Sequence, residues 1–229
     1  MFYVRKANER GHANHGWLDT NHSFSFDTYY DPRFMGFSDL RVINEDRIKP
    51  GFGFGAHPHN NMEILSYVLQ GAIAHKDSMG NVQELKAGEV QIMSAGTGVV
   101  HSEYNPTDDE ELHFYQIWIQ PSVRNIQPRY DQKAFANKEG ATLLLSPEAE
   151  GDSFKVYQDM KLWRYQLKAN QQETIDLNRK RNYWLQMVKG EISVGGQKVT
   201  TSDGVAISKE NAATIETSTD AEFLFFDLA

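Results

Sequence analysis

Residues 56–71 read AHPHNNMEILSYVLQG, and the fold turns on how this stretch is understood. Two imidazoles, His57 and His59, stand one residue apart, and an apolar run closed by Gly71 follows. Residues i and i+2 of a strand project to one face, roughly 6–7 Å apart along the chain. Two rings placed this way can converge on one ion, whereas a His-x-His pair in a loop simply faces water. Which of these holds depends on partners elsewhere in the chain.

The partners stand in GTGVVHSEYN, residues 96–105, where His101 and Glu103 are again two apart. This segment follows AGEVQIMSAGTG, a strand and a glycine-rich turn, so each pair falls at a strand edge. Four nitrogen and oxygen donors from two strands make an interior metal site: His57, His59, His101 and Glu103. Glu63, four residues after His59, is an alternative carboxylate, but Glu103 has the better strand geometry with His101. His75 and His113 read as strand-surface or core-edge groups. His12, His15 and His22 lie in a Gly/Asn-rich N-terminal stretch, where capping, turn bonding or packing is their expected role. An ordered N-terminal segment carrying His22 could lie over a barrel mouth.

The 229 residues suffice for two small domains or one large all-β domain. Hydrophobic residues make up 40% and charged residues 24%, which describes an ordinary globular chain. A net charge of -8 with no compact basic stripe argues against nucleic acid as a partner, since phosphate binding needs a basic field. Without cysteine there is no disulfide, thiolate nucleophile or sulfur metal site. The N-terminus is polar, with no signal-peptide core, and no apolar run reaches the length of a membrane span. Cytoplasmic localisation is the expectation.

Short apolar runs alternate with Gly, Asn and Asp turns, the pattern of a sandwich or barrel. Expected strands include SDLRVINEDRI, MEILSYVLQG, AIAHKD, EVQIMSAG, VVHSEYN and LHFYQIWIQP in a first set. A second set comprises ATLLLSPE, FKVYQDMKLWRYQLK, NYWLQMVKGEISV, QKVTTSDGVAIS and EFLFFDL. Gly195-Gly196 signals a two-residue hairpin. The sets look like copies of one unit, with Gly71 matched to Gly190 and Gly88 to Gly204. Counted from these glycines, His57, His59, His101 and Glu103 fall on Asp176, Asn178, Thr217 and Thr219. The second copy thus lacks the metal ligands. The domains are expected at 1–130, metal-binding, and 131–229, degenerate and metal-free.

G51-x5-H57-x-H59-x3-E63 and the Gly88–Asn105 segment resemble the two cupin motifs. The match has departures: seven residues rather than six separate Glu63 from Gly71, and Ser94 stands where proline is usual. Together with HKDSMGN, LHFYQIWI and the N-terminal HSFSFDTYYDPRFMGFSDLRVINEDRI, these segments are similar to the pirin family. The resemblance is close over most of the first half and looser in the second. It implies an all-β fold of two cupin-type β-barrels, a bicupin, with one mononuclear metal in the N-terminal barrel. It implies the ligands His57, His59, His101 and Glu103 and, as the ion, Fe(II), with Zn, Ni, Cu or Mn also compatible with such donors.

Some bacterial pirins resemble quercetin 2,3-dioxygenases, which open the flavonol ring with O₂ and release carbon monoxide. On that reading a flavonol enol and O₂ are the partners, and Glu103 is the catalytic base. Phe52, Phe54, Met93 and Trp118 are candidates to line the pocket, against ordinary core packing. Rival readings are a metal- or redox-sensing regulatory protein acting through protein partners, a metal-dependent isomerase or hydrolase, and a purely structural bicupin.

Overall fold

A computed structural model describes residues 1–229. It consists of strands, with one short 3-10 turn at Ala7–Glu9 and no α-helix. In chain order the strands begin with β1 (Phe2–Arg5), β2 (Gly11–Asn14), β3 (Leu18–His22), β4 (Leu40–Ile48), β5 (Gly53–His59) and β6 (Glu63–Gln70). There follow β7 (Ala72–Asp77), β8 (Val82–Lys86), β9 (Glu89–Ser94), β10 (Val99–Tyr104), β11 (Leu112–Ile119) and β12 (Arg129–Ala134). The second half holds β13 (Gly140–Ser146), β14 (Phe154–Lys155), β15 (Met160–Leu167), β16 (Gln172–Asp176) and β17 (Asn182–Lys189). It closes with β18 (Glu191–Val194), β19 (Gln197–Thr200), β20 (Gly204–Ser208), β21 (Ala212–Thr217) and β22 (Ala221–Leu228). No helix is long and apolar enough to cross a membrane.

Two compact units form, Gly11–Phe135 and Ala136–Ala229 together with Met1–Arg10. The division expected after residue 130 therefore moves to Phe135, and the first ten residues change sides. Strand pairing is the reason. β12 pairs with β9, Arg129 opposite Ser94, so it belongs to the first unit. The matching edge of β20 is covered by β1, Phe2 opposite Ile207.

Each unit has a seven-stranded and a four-stranded sheet. The first unit has the orders β12-β9-β6-β11-β4-β3-β2 and β5-β10-β7-β8. The second has β1-β20-β17-β22-β15-β13-β14 and β16-β21-β18-β19. Strand for strand, β4–β11 and β15–β22 share one topology, so the chain is a bicupin; the outer edges differ, β13 and β14 pairing parallel where β2 and β3 pair antiparallel. Between β18 and β19, Gly195 and Gly196 have φ 58° and 73°, with Val194 opposite Gln197. Left-handed backbone at both central residues is what a two-residue type I′ hairpin demands.

Register makes the correspondence residue-specific. In the first unit Ser66 lies opposite Gln91 on one side and Gln116 on the other. In the second, Leu185 lies opposite Val205 and Phe225. The Gly88 N–H donates to the Val68 carbonyl at 2.9 Å, and the Ser202 N–H donates to the Met187 carbonyl at 3.1 Å. Gly88 is thus matched by Ser202, whose φ is also left-handed, and not by Gly204.

The two interiors differ in chemistry at these matched positions. Ile48, Val68, Leu112 and Phe114 belong to one apolar cluster of the first barrel, and Ile64, Met93 and Val99 to another. Along the strands between them lie Asn44, Asp46, Ser66, Gln91 and Gln116, all buried. The matched positions of the second barrel are Trp163, Tyr165, Leu185, Val205 and Phe225, all part of or packed against one continuous apolar cluster. Buried polar groups cost free energy unless hydrogen-bonded. A whole layer of them in one barrel marks a site.

Candidate metal centre

β5 and β10 bring the pairs His57/His59 and His101/Glu103 together. His57 lies directly opposite His101, and His59 opposite Val99. Directly opposed residues have Cβ atoms about 4.5–5.5 Å apart, so rings from such positions meet. Pro58, between the two histidines, is tolerated because β5 is an edge strand. The ring centroids are 4.8 Å apart for His57–His59, 4.5 Å for His57–His101 and 4.9 Å for His59–His101. One nitrogen from each of the three rings lies within 4.8 Å of the others.

His57 Nδ1 donates to the Gly55 carbonyl at 2.7 Å, which leaves Nε2 as a lone pair. That Nε2 stands 3.0 Å from His101 Nε2. Fixing one imidazole nitrogen on a carbonyl while the other faces inward is how proteins orient metal-binding histidines.

Glu103 arrives through a register shift. Opposite β5, the pairing slips between His101 and Glu103, so Glu103 faces Phe54. The close approach needs Gly53, where a Cβ would lie 2.3 Å from the Glu103 carbonyl oxygen and 2.4 Å from Tyr104 Cα. The buried carboxylate accepts from Ser66 Oγ at 3.2 Å and Gln91 Nε2 at 3.0 Å on Oε1, and from Gln116 Nε2 at 2.9 Å on Oε2. A carboxylate offers about four lone-pair sites, and these three donors leave one, on Oε2. An oxygen of Glu103 also lies within 4.8 Å of nitrogens of His101 and His75, so His101 belongs to both clusters.

Burial, then the neighbouring His101 and His57, pushes the His59 imidazole down to about 4. Burial, then His57 and His75, pushes His101 down to about 3. Both are neutral near pH 7, the form that binds metal. Burial raises the Asp46 carboxyl to about 7, against a hydrogen bond from Thr20, with Glu103 and Glu45 adding to the rise.

Three imidazoles and one carboxylate, with no thiolate, suit a divalent first-row ion. The arrangement of His57 and His101 fits it as well: two inward Nε2 atoms at 3.0 Å, one of them held as a lone pair.

Glu63 is elsewhere. It is buried, accepts from Ser94 Oγ at 2.9 Å and lies 3.8 Å from the Arg129 guanidinium. The serine in the usual proline position of the motif thus serves that pair. His75, expected at a surface or core edge, is fully buried beside His101, with centroids 5.4 Å apart. Its Nε2 donates to Asp77 at 3.0 Å. Burial pushes the Asp77 carboxyl up, but bonds from His75, Asn81 and Met79 outweigh it and hold the group low. His113 does sit at the core edge, 2.9 Å from Glu45.

A cavity of about 380 Å³ opens onto His57, His59, His101 and Glu103. Thr20, His22, Asn44, Asp46 and Gln116 supply polar lining, and Trp17, Phe26, Phe54 and Trp118 aromatic lining. Trp118 presents an edge contact to His59, with centroids 5.0 Å apart at 85°. Of the four aromatic and apolar candidates, Phe54 and Trp118 line the cavity, whereas Phe52 is 51% exposed and Met93 is core. His22 reaches the cavity from β3, its Nδ1 at 2.8 Å from Asn44 Oδ1. The sequence reading missed Asn44, Asp46, Ser66, Gln91 and Gln116. Their signal was available: polar residues at inward positions of otherwise apolar strands.

The family model described as Pirin matches residues 3–119, and that described as the quercetinase C-terminal cupin domain matches residues 143–228. The chain is 57% identical over 228 residues to the quercetin 2,3-dioxygenase of Escherichia coli (strain K12), covering 100% of this chain and 99% of that one. It is 56% identical to the quercetin 2,3-dioxygenase of Escherichia coli O157:H7, with the same coverage. The crystal structure of the bacterial pirin YhhW from Escherichia coli, in complex with nickel(II), matches with a TM-score of 0.97 at 56% identity, covering 100% of this chain and 99% of that one. The shared topology of the two barrels, the family models and full-length identities above one half lead to one conclusion: this chain is a member of the pirin family.

Proposed function

We propose that this protein is a metal-dependent quercetin 2,3-dioxygenase, opening the central ring of a flavonol with O₂ and releasing carbon monoxide. One observation carries the reading: three clustered imidazoles and the Glu103 carboxylate line one cavity sized for a single small aromatic molecule. Relatives matched over their full length carry this activity in their names. His57, His59, His101 and Glu103 would hold one divalent ion, which we assign as Fe(II); Zn, Ni, Cu or Mn would suit the same donors. When bound, the ion supplies Lewis acidity toward the substrate hydroxyl and a meeting point for that oxygen and O₂.

The chain's own groups do the rest. Trp17, Phe26, Phe54 and Trp118 clasp the flat rings and exclude water. Thr20, His22, Asn44 and Asp46 face the substrate's oxygens. Glu103 takes the enol proton on Oε2. Ser66, Gln91 and Gln116 occupy the other three lone-pair sites, so this position on Oε2 is the one that would be offered to an ion and the one that accepts the proton. Abstraction by a positioned carboxylate contributes about 10²–10⁴-fold.

The test is elemental analysis of protein purified without added metal, followed by oxygen-electrode and carbon monoxide assays with quercetin. The expected result is one ion per chain and equal consumption of O₂ and quercetin. A fully loaded protein that consumes no O₂ with any flavonol overturns the assignment.

A further inference from the structure

His101 has a second ring nitrogen that the metal reading does not use. Its Nδ1 is buried without a hydrogen-bond partner in the protein. The same is true of His75 Nδ1. The two rings are 2% and 1% exposed and have centroids 5.4 Å apart. On adjacent strands, Glu103 lies opposite His75 and His101 opposite Asp77. Two unmatched ring nitrogens side by side in a barrel interior call for a common partner, because buried polar atoms are otherwise almost always bonded.

Their proton states are complementary. His75 Nε2 must carry hydrogen to donate to the Asp77 carboxylate, and in that Nε2–H tautomer Nδ1 is an acceptor. Asp77 is itself fixed by the Asn81 side chain at 2.8 Å and by the backbone N–H groups of Met79 and Asn81 at 2.9 and 3.1 Å. His101, if its Nε2 lone pair faces a metal, must carry hydrogen on Nδ1 and is a donor there. One donor and one acceptor, neither bonded to the other nor to the rest of the protein, suit a single buried water between them.

We propose that His75 is the positioning residue of the metal ligand His101: joined through one buried water, the sequence Asp77, His75, water, His101 holds His101 as its Nδ1–H tautomer and turns its Nε2 lone pair to the ion. Tyr130 supports both ligands of β10. Its ring stacks on His75 at 4.4 Å and 25°, and its hydroxyl donates at 3.0 Å to Gln91, which holds Glu103. Burial raises the phenol above its ordinary range, so it remains a donor. The inference rests on His101 being a ligand.

The test uses the full chain, stripped of metal, titrated with Ni(II) alone, and nitrogen-detected NMR of the His101 ring in the zinc-loaded protein. His75→Phe keeps the ring and removes the acceptor. It should weaken Ni(II) binding by about 10- to 100-fold, the range for lost second-layer partners. It should also perturb the His101 Nδ1–H signal. His75→Gln, whose amide oxygen can accept, should recover most of the affinity. Should His75→Phe not fold, Asp77→Asn decides: its amide donates to His75 Nε2, moves the His75 proton to Nδ1, and should lower affinity in the same way. Unchanged affinity and an unchanged His101 signal in the folded variants overturn the proposal. His57→Ala is the control: if it binds Ni(II) like the parent, the metal site itself is wrong.

Discussion

His57 and His101 face each other Nε2 to Nε2 at 3.0 Å across β5 and β10. Two imidazole nitrogens at that distance share either one proton or one cation. Because His101 and His59 are pushed down to about 3 and about 4, protons do not compete with metal near neutrality. Ni(II) affinity should therefore lose little through these two groups between pH 7 and pH 5 and fall steeply below pH 4. Calorimetric titration across that range checks it. A tenfold loss already between pH 7 and pH 6 would show that the imidazoles titrate normally.

Gly53 packs against the Glu103 backbone with no room for a Cβ. Gly53→Ala would force β5 off β10 and separate His57 from His101. Overpacking of this kind costs about 1–3 kcal/mol. Ni(II) affinity should drop at least tenfold (about 1.4 kcal/mol) while the protein remains folded by circular dichroism. Parent-like affinity would mean that the strand pair adapts without moving the ligands.

Asp46 and the two depressed histidines have opposite effects on stability. Between pH 4 and 6.5 the unfolded chain binds protons at His59 and His101 that the metal-free fold refuses, so these groups make stability rise with pH. Asp46, raised to about 7, holds a proton that the unfolded chain releases, so it makes stability fall with pH over the same range. Two groups outweigh one. The metal-free protein should gain stability from pH 4.5 to 6.5, and Asp46→Asn should steepen that gain. Urea unfolding at several pH values measures it; a shallower slope in the variant would contradict the assignment.

Ile215 occupies in the second barrel the place that Glu103 holds in the first, since Val194 lies opposite it as His75 lies opposite Glu103. Ile215→Ala should cost about 2–5 kcal/mol by opening a cavity in the apolar cluster. Ni(II) affinity at pH 7.5 should remain within threefold. A large loss of metal would show that the two barrels are energetically inseparable.

The two barrels, the hairpin at Gly195-Gly196 and the meeting of His57, His59, His101 and Glu103 were legible in the sequence, because period-2 spacing and glycine turns report directly on strand faces. The second copy was legible only in outline. Matched by register, the ligand positions fall on Ile175, Leu177, Ala213 and Ile215, not on Asp176, Asn178, Thr217 and Thr219. Counting back from Gly190 missed by one because the chain from Ile175 to Gly190 is one residue longer than that from His57 to Gly71. Counting forward from Gly204 overshot by four: Ser202 is the true match of Gly88, and the chain from Ser202 to Ala213 is two residues shorter than that from Gly88 to His101. A slip of one residue turns a strand over. The corrected positions offer no donor atoms: apolar side chains fill them. His75 was misread because its neighbours Lys76 and Ala74 look like a surface strand. Its burial comes from pairing with β10 and from Tyr130, which no local pattern reveals.

X-ray absorption at the iron edge of Fe(II)-loaded protein tests the central claim most directly. The account predicts three imidazole ligands and at least one oxygen at about 2.0–2.2 Å, with no sulfur, and the loss of one imidazole in His101→Ala. A spectrum with fewer than three imidazoles in the parent, or one unchanged in His101→Ala, would contradict it.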